Sequence, residues 1–248
     1  MPARDSAPTL FTNARVFDAS GRAPFAGEVL VRGQRIEAVS EASTPLARAG
    51  ADVVDCGGAT LLPGLIESHA HLSWPSSVGR IIDSMTLPAE EHLLVTAHNA
   101  KVTLDAGFTS AYSAGSLGPR FEIALRDEIN AGYLPGPRLR ASSLERLPDG
   151  ALGVAARQGE AHSRGPEAMR AYVKSMAKAG VDSIKFLLSS DEAFTPGGSQ
   201  ILTYTDEEGA ASCSGRSRPV TSPISCWSTA TRRATWPSSR IRRGFWRS

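Results

Sequence analysis

The chain has 248 residues, 41% of them hydrophobic and 21% charged, with a formal net charge of +2. That balance excludes a disordered or fibrous protein and fits one or two globular domains with a sizeable core. No apolar run reaches the roughly 18–20 residues of a membrane helix, and residues 1–10 lack the basic start and apolar stretch of a secretory signal, so the expectation is a cytoplasmic protein with no membrane partner.

The first sixty residues alternate strand-sized apolar runs with Gly and Asp turns, at 9–17, 28–31, 35–39 and 52–55. Hairpin signals of this kind predict a small antiparallel β unit. After Gly57-Gly58 the pattern changes. Leu61-Leu62-Pro63-Gly64-Leu65-Ile66 runs into Glu67-Ser68-His69-Ala70-His71, as a buried parallel strand does when it delivers polar groups to a site. Residues 89–106 place Leu93, Leu94, Ala97, Ala100, Val102 and Leu104 at helical spacing and stop at Gly107. A strand at 108–112, an amphipathic helix at 121–131 and a strand at 138–142 follow. Pro166 opens the next helix, Met169, Val173 and Met176 line one face, and Gly180 ends it. A fourth strand is predicted at 182–188. Strands alternating with helices predict βαβ units on a parallel sheet. A complete eight-unit barrel takes about 250 residues, and only about half of one fits between Leu61 and Asp206.

His69 and His71 are the first chemical candidates. Residues i and i+2 of a strand point to one side, about 6.5–7 Å apart along the chain, close enough for two imidazoles to share one ion. Zinc accepts neutral imidazole nitrogens at about 2.0–2.1 Å. A lone His-x-His is more often a surface or structural pair; here it ends a strand-like run, where parallel barrels place their sites. His92, His98 and His162 fall in helical or loop stretches without pairing and read as solvated. Cys56, Cys213 and Cys226 are odd in number and widely spaced, which excludes a disulfide framework and shows no zinc-type pairing.

The run from Leu62 to His71 resembles the Pro-Gly-Leu-Ile-Asp-x-His-x-His signature of the amidohydrolase superfamily, with Glu67 in the usual Asp place. Asp105-Ala106-Gly107-Phe108-Thr109-Ser110, Leu134-Pro135-Gly136-Pro137-Arg138 and Gly180-Val181-Asp182-Ser183-Ile184-Lys185 are similar to its imidazolonepropionase-like and Xaa-Pro dipeptidase-like branch. The match covers residues 9–208 in order. It implies an α/β fold: an incomplete TIM-type (β/α) barrel preceded by a small antiparallel β-sandwich segment, with residues 1–60 as sandwich and 61–208 as the first half of the barrel. It also implies metal-dependent hydrolysis, by an activated water, of a carbon–nitrogen bond other than an ordinary peptide bond, in a small-molecule amide or dipeptide-like substrate. His69, His71 and Lys185 would hold one or two divalent ions, zinc first among them. Lys185 would be carboxylated, because an ordinary protonated amine is no ligand. Without the resemblance, Lys185 reads as a lysine reaching into solvent.

Three departures stand out. Ala111-Tyr112-Ser113-Ala114-Gly115 replaces an Arg-Asp pair before Gly, and Pro148-Asp149-Gly150 stands near the place of a Gly-Gly-His element. The family's activity also needs later histidines and an aspartate, whereas this sequence has no histidine after His162 and no aspartate after Asp206. No catalytic residue is therefore assigned, and an inactive fragment is the alternative reading.

Residues 209–248 differ from the rest. They hold eight arginines and no lysine or acid, nine of the serines, and Trp227, Trp236 and Trp246; residues 1–208 carry 19 basic against 25 acidic groups, a net charge of −6. Tyr204-Thr205-Asp206-Glu207-Glu208 predicts a helix start with Thr205 as N-cap, but no amphipathic period continues it. The expectation is a frameshift near codon 208, leaving a non-native or disordered tail and an exposed strand edge. The other reading, arginines and tryptophans binding nucleic acid, finds no supporting motif in the body, so no nucleic-acid partner is expected.

Overall fold

The computed structural model describes residues 7–74, 87–147, 150–151, 164–187, 203–214 and 225–227. His162, Pro148 and Asp149, the end of the strand expected at 182–188, and most of the tail lie outside them. The chain divides into two compact units, Met1–Leu65 and Ile66–Ser248.

In the first unit, β1 (Thr9–Val16) lies at the centre of a five-stranded sheet with β2 (Phe25–Arg32), β3 (Arg35–Glu41), β4 (Asp52–Asp55) and β5 (Thr60–Leu61). β1 pairs antiparallel with β2 through Leu10↔Leu30, and β2 with β3 through Val29↔Val39. The expectation of a wholly antiparallel unit is corrected here: β4 and β5 both run parallel to β1. The reason is the connection. Arg32-Gly33-Gln34-Arg35 is a tight hairpin that reverses the chain, whereas ten residues separate β3 from β4 and return the chain so that Leu10 meets Val53. Alternation along β1 buries Leu10, Thr12, Ala14 and Val16. Glu28, also buried, accepts from Leu46 N (2.8 Å) and Arg48 Nη2 (2.7 Å), which anchors that long connection.

In the second unit, strands and helices alternate: β6 (Leu65–Ala70), α1 (Ala89–Asp105), β7 (Phe108–Ser113), α2 (Phe121–Asn130), β8 (Arg138–Arg140), the short pair β9 (Arg146–Leu147) and β10 (Gly150–Ala151), α3 (Pro166–Ala179), β11 (Ser183–Lys185), α4 (Asp206–Ser214) and β12 (Ser225–Trp227). β6, β7 and β8 form one sheet in that order, with β7 parallel to β8 through Ala111↔Leu139. A parallel bridge, Ser142↔Ser183, leads from β8 to β11, and β12 runs parallel to β11. Apart from the separate β9–β10 pair, successive strands are thus neighbours, each reached through a helix, as in repeated βαβ units. The edge that the sequence left open beside the fourth strand has β12 against it, and α4 runs six residues past Glu208.

Asp182 clamps β8 to β11. Its Oδ2 accepts from Ala141 N and from Arg126 Nη1, both at 2.8 Å, and its own N–H donates to Ala141 O. α3 follows its sequence: Pro166 at the first turn, Met169, Tyr172, Val173 and Met176 buried against Ile184 and Phe186, and Gly180 at φ 96° as the left-handed cap. α1 does not. Its buried residues are His92, Thr96, Asn99 and Ala100, while Leu94 is 72% exposed and Val102 47%. His92 is therefore no solvated histidine. Its Nε2 lies 2.6 Å from Ser73 O, and Asn99 Nδ2 donates to Leu72 O (2.9 Å) and Trp74 O (2.6 Å). The carbonyls of the turn after β6 need donors once buried, and that need selects the polar face of α1.

Candidate functional site

His69 lies in β6 and His71 directly after it, at the carboxyl end of the sheet, where open and closed α/β folds gather their ligand sites. Their rings stand edge to face with centroids 5.2 Å apart. Glu67, on the same side of the strand, accepts from His69 N at 2.9 Å; it stiffens the strand end. An open cleft of about 360 Å³ borders the pair, lined by Glu67, His69, His71, Trp74, Asn99 and Thr103 among others.

Lys185 ends β11 and is 5% exposed, so the solvated reading does not hold. Its N–H donates to Ser143 Oγ at 2.8 Å. Burial pushes its amine below the ordinary lysine value, and the Glu145 carboxylate opposes that shift. His69 is also held below the ordinary histidine value, first by desolvation, then by the charges of Lys185 and His71, against the opposing Glu145 and Glu67. The charge of Glu145 acts on both His69 and Lys185, and the charges of Lys185 and His71 act on His69, so the three residues singled out by sequence lie within electrostatic reach of one another; burial disfavours the charged form of His69 and of Lys185.

Glu145 has no counterpart among the sequence candidates. It is 4% exposed, and its Oε1 accepts from Trp74 Nε1 at 2.8 Å and lies 2.9 Å from His71 Nδ1. Space for it comes from Gly115, at φ 139°, where a Cβ would overlap Glu145 Cγ and Cδ. Behind it, Glu122 of α2 is fully buried among Ser113, Ser142 and Ser73; burial pushes its carboxyl up to about 8, with Glu145 adding to the rise. No sequence signal marks Glu145: His71, Ser113 and Lys185 stand at or just beyond the ends of β6, β7 and β11, whereas Glu145 lies five residues past β8, directly before β9.

The donor chemistry suits a divalent ion in kind, since neutral imidazole and deprotonated or carboxylated lysine are both ligands. In number it falls short: among the described residues no group of three or more His, Cys, Asp or Glu stands so as to hold a metal ion.

No protein-family model matches the chain. The exoenzymes regulatory protein AepA of Pectobacterium carotovorum subsp. carotovorum is 37% identical over 65 residues, which is 25% of this chain and 14% of that protein. Solved structures match over most of the chain. A prolidase candidate from Bifidobacterium longum is 27% identical with a TM-score of 0.63, covering 86% of this chain and 47% of its own. An Xaa-Pro dipeptidase solved with methionine in its active site is 24% identical with a TM-score of 0.68, covering 84% and 54%. An amidohydrolase is 24% identical with a TM-score of 0.64, covering 83% and 52%. The chain spans about half the length of these solved relatives and a smaller share of the curated one.

Proposed function

We propose that this chain, a relative of the amidohydrolase superfamily, provides the first part of a hydrolytic metal site, in which His69, His71 and Lys185 hold a divalent ion, zinc first among them. The observation that supports the reading is electrostatic and positional: two imidazoles with ring centroids 5.2 Å apart stand at the carboxyl end of β6, and a buried lysine at the carboxyl end of β11, more than a hundred residues away in sequence, acts on the charge of His69. The finer architecture that suits it is the first half of a TIM-type (β/α) barrel preceded by a β-sandwich segment. An ion held there would supply Lewis acidity and a more acidic water for attack on a carbonyl. The chain's own groups have narrower roles. His69 and His71 donate lone pairs, Lys185 adds a third ligand once carboxylated, and Glu67 and Asn99 fix the backbone on either side of the histidines.

The substrate class that fits this ancestry is a small amide or dipeptide-like molecule with a carbon–nitrogen bond other than an ordinary peptide bond. Three ligands would leave a fourth position for water, but the later histidines and the aspartate base that the resemblance calls for have no counterpart after His162 and Asp206, so the expected behaviour of this chain is ion binding without turnover. Purified full-length chain and a His69→Ala/His71→Ala variant, titrated with zinc against a chromophoric chelator and assayed on an amide and Xaa-Pro dipeptide panel, test the reading. One ion bound by the parent and lost in the variant, with no turnover, is the expected result. Zinc binding that survives the double substitution overturns the site, and turnover by the parent overturns its assignment as inactive.

A further inference from the structure

We propose that Glu145 is the positioning residue for His71: it holds the proton on Nδ1 and so leaves the lone pair on Nε2, the nitrogen that would serve as ligand to an ion. The inference rests on the metal reading of His69 and His71. Two polar atoms lie near His71 Nδ1, Glu145 Oε1 at 2.9 Å and Gly115 O at 3.3 Å. A carbonyl only accepts, and the same Oε1 already accepts from Trp74 Nε1, which only donates. Both neighbours therefore ask Nδ1 for a proton, and a neutral imidazole that gives it there keeps its lone pair on Nε2.

The carboxylate is itself fixed. Trp74 Nε1 pins Oε1 at 2.8 Å, Asn99 Nδ2 holds the Trp74 carbonyl at 2.6 Å, and the missing Cβ of Gly115 leaves the room Glu145 occupies. Glu145 is 4% exposed, and burying a carboxylate without such partners is costly. A carboxylate bonded to the far nitrogen of a metal-binding histidine sets its tautomer and orientation, and loss of such a partner lowers metal affinity about 10- to 100-fold. His69 has no comparable partner for its ring among the described bonds, so the orientation of the pair depends on His71.

The test uses the full, 15N-labelled chain without metal. Long-range imidazole spectra, with His71 assigned through His71→Asn, read the tautomer in the parent, Glu145→Ala and Glu145→Gln; zinc affinity is measured on the same three proteins. The parent His71 is expected as the Nδ1–H form. Glu145→Ala populates the Nε2–H form that free histidine favours and weakens zinc about 10- to 100-fold. Glu145→Gln, whose amide oxygen still accepts, restores the tautomer and part of the affinity, a rescue that a merely structural role does not produce. An Nε2–H parent, or a Glu145→Ala variant with the parent's tautomer, overturns the inference, as does zinc affinity unchanged within twofold. If the parent binds no zinc, the proposed function fails while the tautomer comparison still decides the role of Glu145.

Discussion

Replacing Glu122 by Gln isolates one buried proton. Glu122 is fully buried, and its carboxyl is raised from an ordinary 4.5 to about 8, chiefly by desolvation, with Glu145 as a like charge adding to it and bonds from Ser113, Ser142 and Ser73 opposing it. Between those two values the native chain keeps a proton that the unfolded chain has released. The unfolded state then binds fewer protons, so stability falls as pH rises across this window. At pH 7 the interval above 4.5 is about 2.5 units, and each unit is worth about 1.4 kcal/mol, which gives a penalty of about 3 kcal/mol. Gln has the shape of the protonated acid and cannot ionise. Urea unfolding followed by circular dichroism from pH 4.5 to 8 should therefore give two curves that meet near pH 4.5 and separate by about 3 kcal/mol at pH 7, with the variant the more stable. Titrations common to both proteins cancel in the difference. Parallel curves, or a variant less stable at pH 7 than at pH 4.5 relative to the parent, would refute the reasoning.

Gly115→Ala forces a Cβ into Glu145 Cγ at a backbone φ of 139°, so overpacking and strain together should cost about 2–4 kcal/mol, read as a lower urea midpoint; a loss under 0.5 kcal/mol would mean that Glu145 is free to move aside. Glu208 is the opposite electrostatic case to Glu122. Its Oε2 accepts from Thr205 N (2.8 Å), its Oε1 from Gly165 N (2.6 Å), and Thr205 Oγ1 accepts from Glu208 N (3.2 Å), a capping box that also ties the start of α3. The Thr205 bond leads in holding the Glu208 carboxyl below its ordinary value, with Gly165 contributing and burial opposing. Its stabilisation is therefore present above that ordinary value and lost as pH falls through the lowered one. Glu208→Ala should cost about 1–2 kcal/mol at pH 7 and less below pH 4, measured by the same unfolding assay. A pH-independent cost would leave packing, not the ionised cap, as the cause.

Local signals carried the helices whose burial is apolar. Pro166, the Met169/Val173/Met176 stripe and Gly180 fix α3 because each acts within a turn or two of its own chain, and Thr205 with Glu208 marks the start of α4 for the same reason. α1 shows where such reasoning stops. Its apolar spacing favoured a face with Leu94 and Val102, yet His92, Thr96 and Asn99 turn inward, because the carbonyls of Leu72, Ser73 and Trp74 lie there and each would cost about 1–3 kcal/mol if buried without a donor, whereas a singly exposed leucine is common on protein surfaces. Hydrophobic periodicity has no access to that demand, since it arises on another segment. The site follows the same division. His69 and His71 were legible because one strand places both, and Lys185 because the resemblance supplied it. Glu145 was not, because its partners come from the turn after β6 and from the segment between β7 and α2, each about thirty residues or more away in sequence. What makes Glu145 intelligible is a pair of absences and presences that only the fold brings together: the Cβ missing from Gly115, and the indole N–H of Trp74. A substitution at either should therefore perturb His71 without touching a histidine.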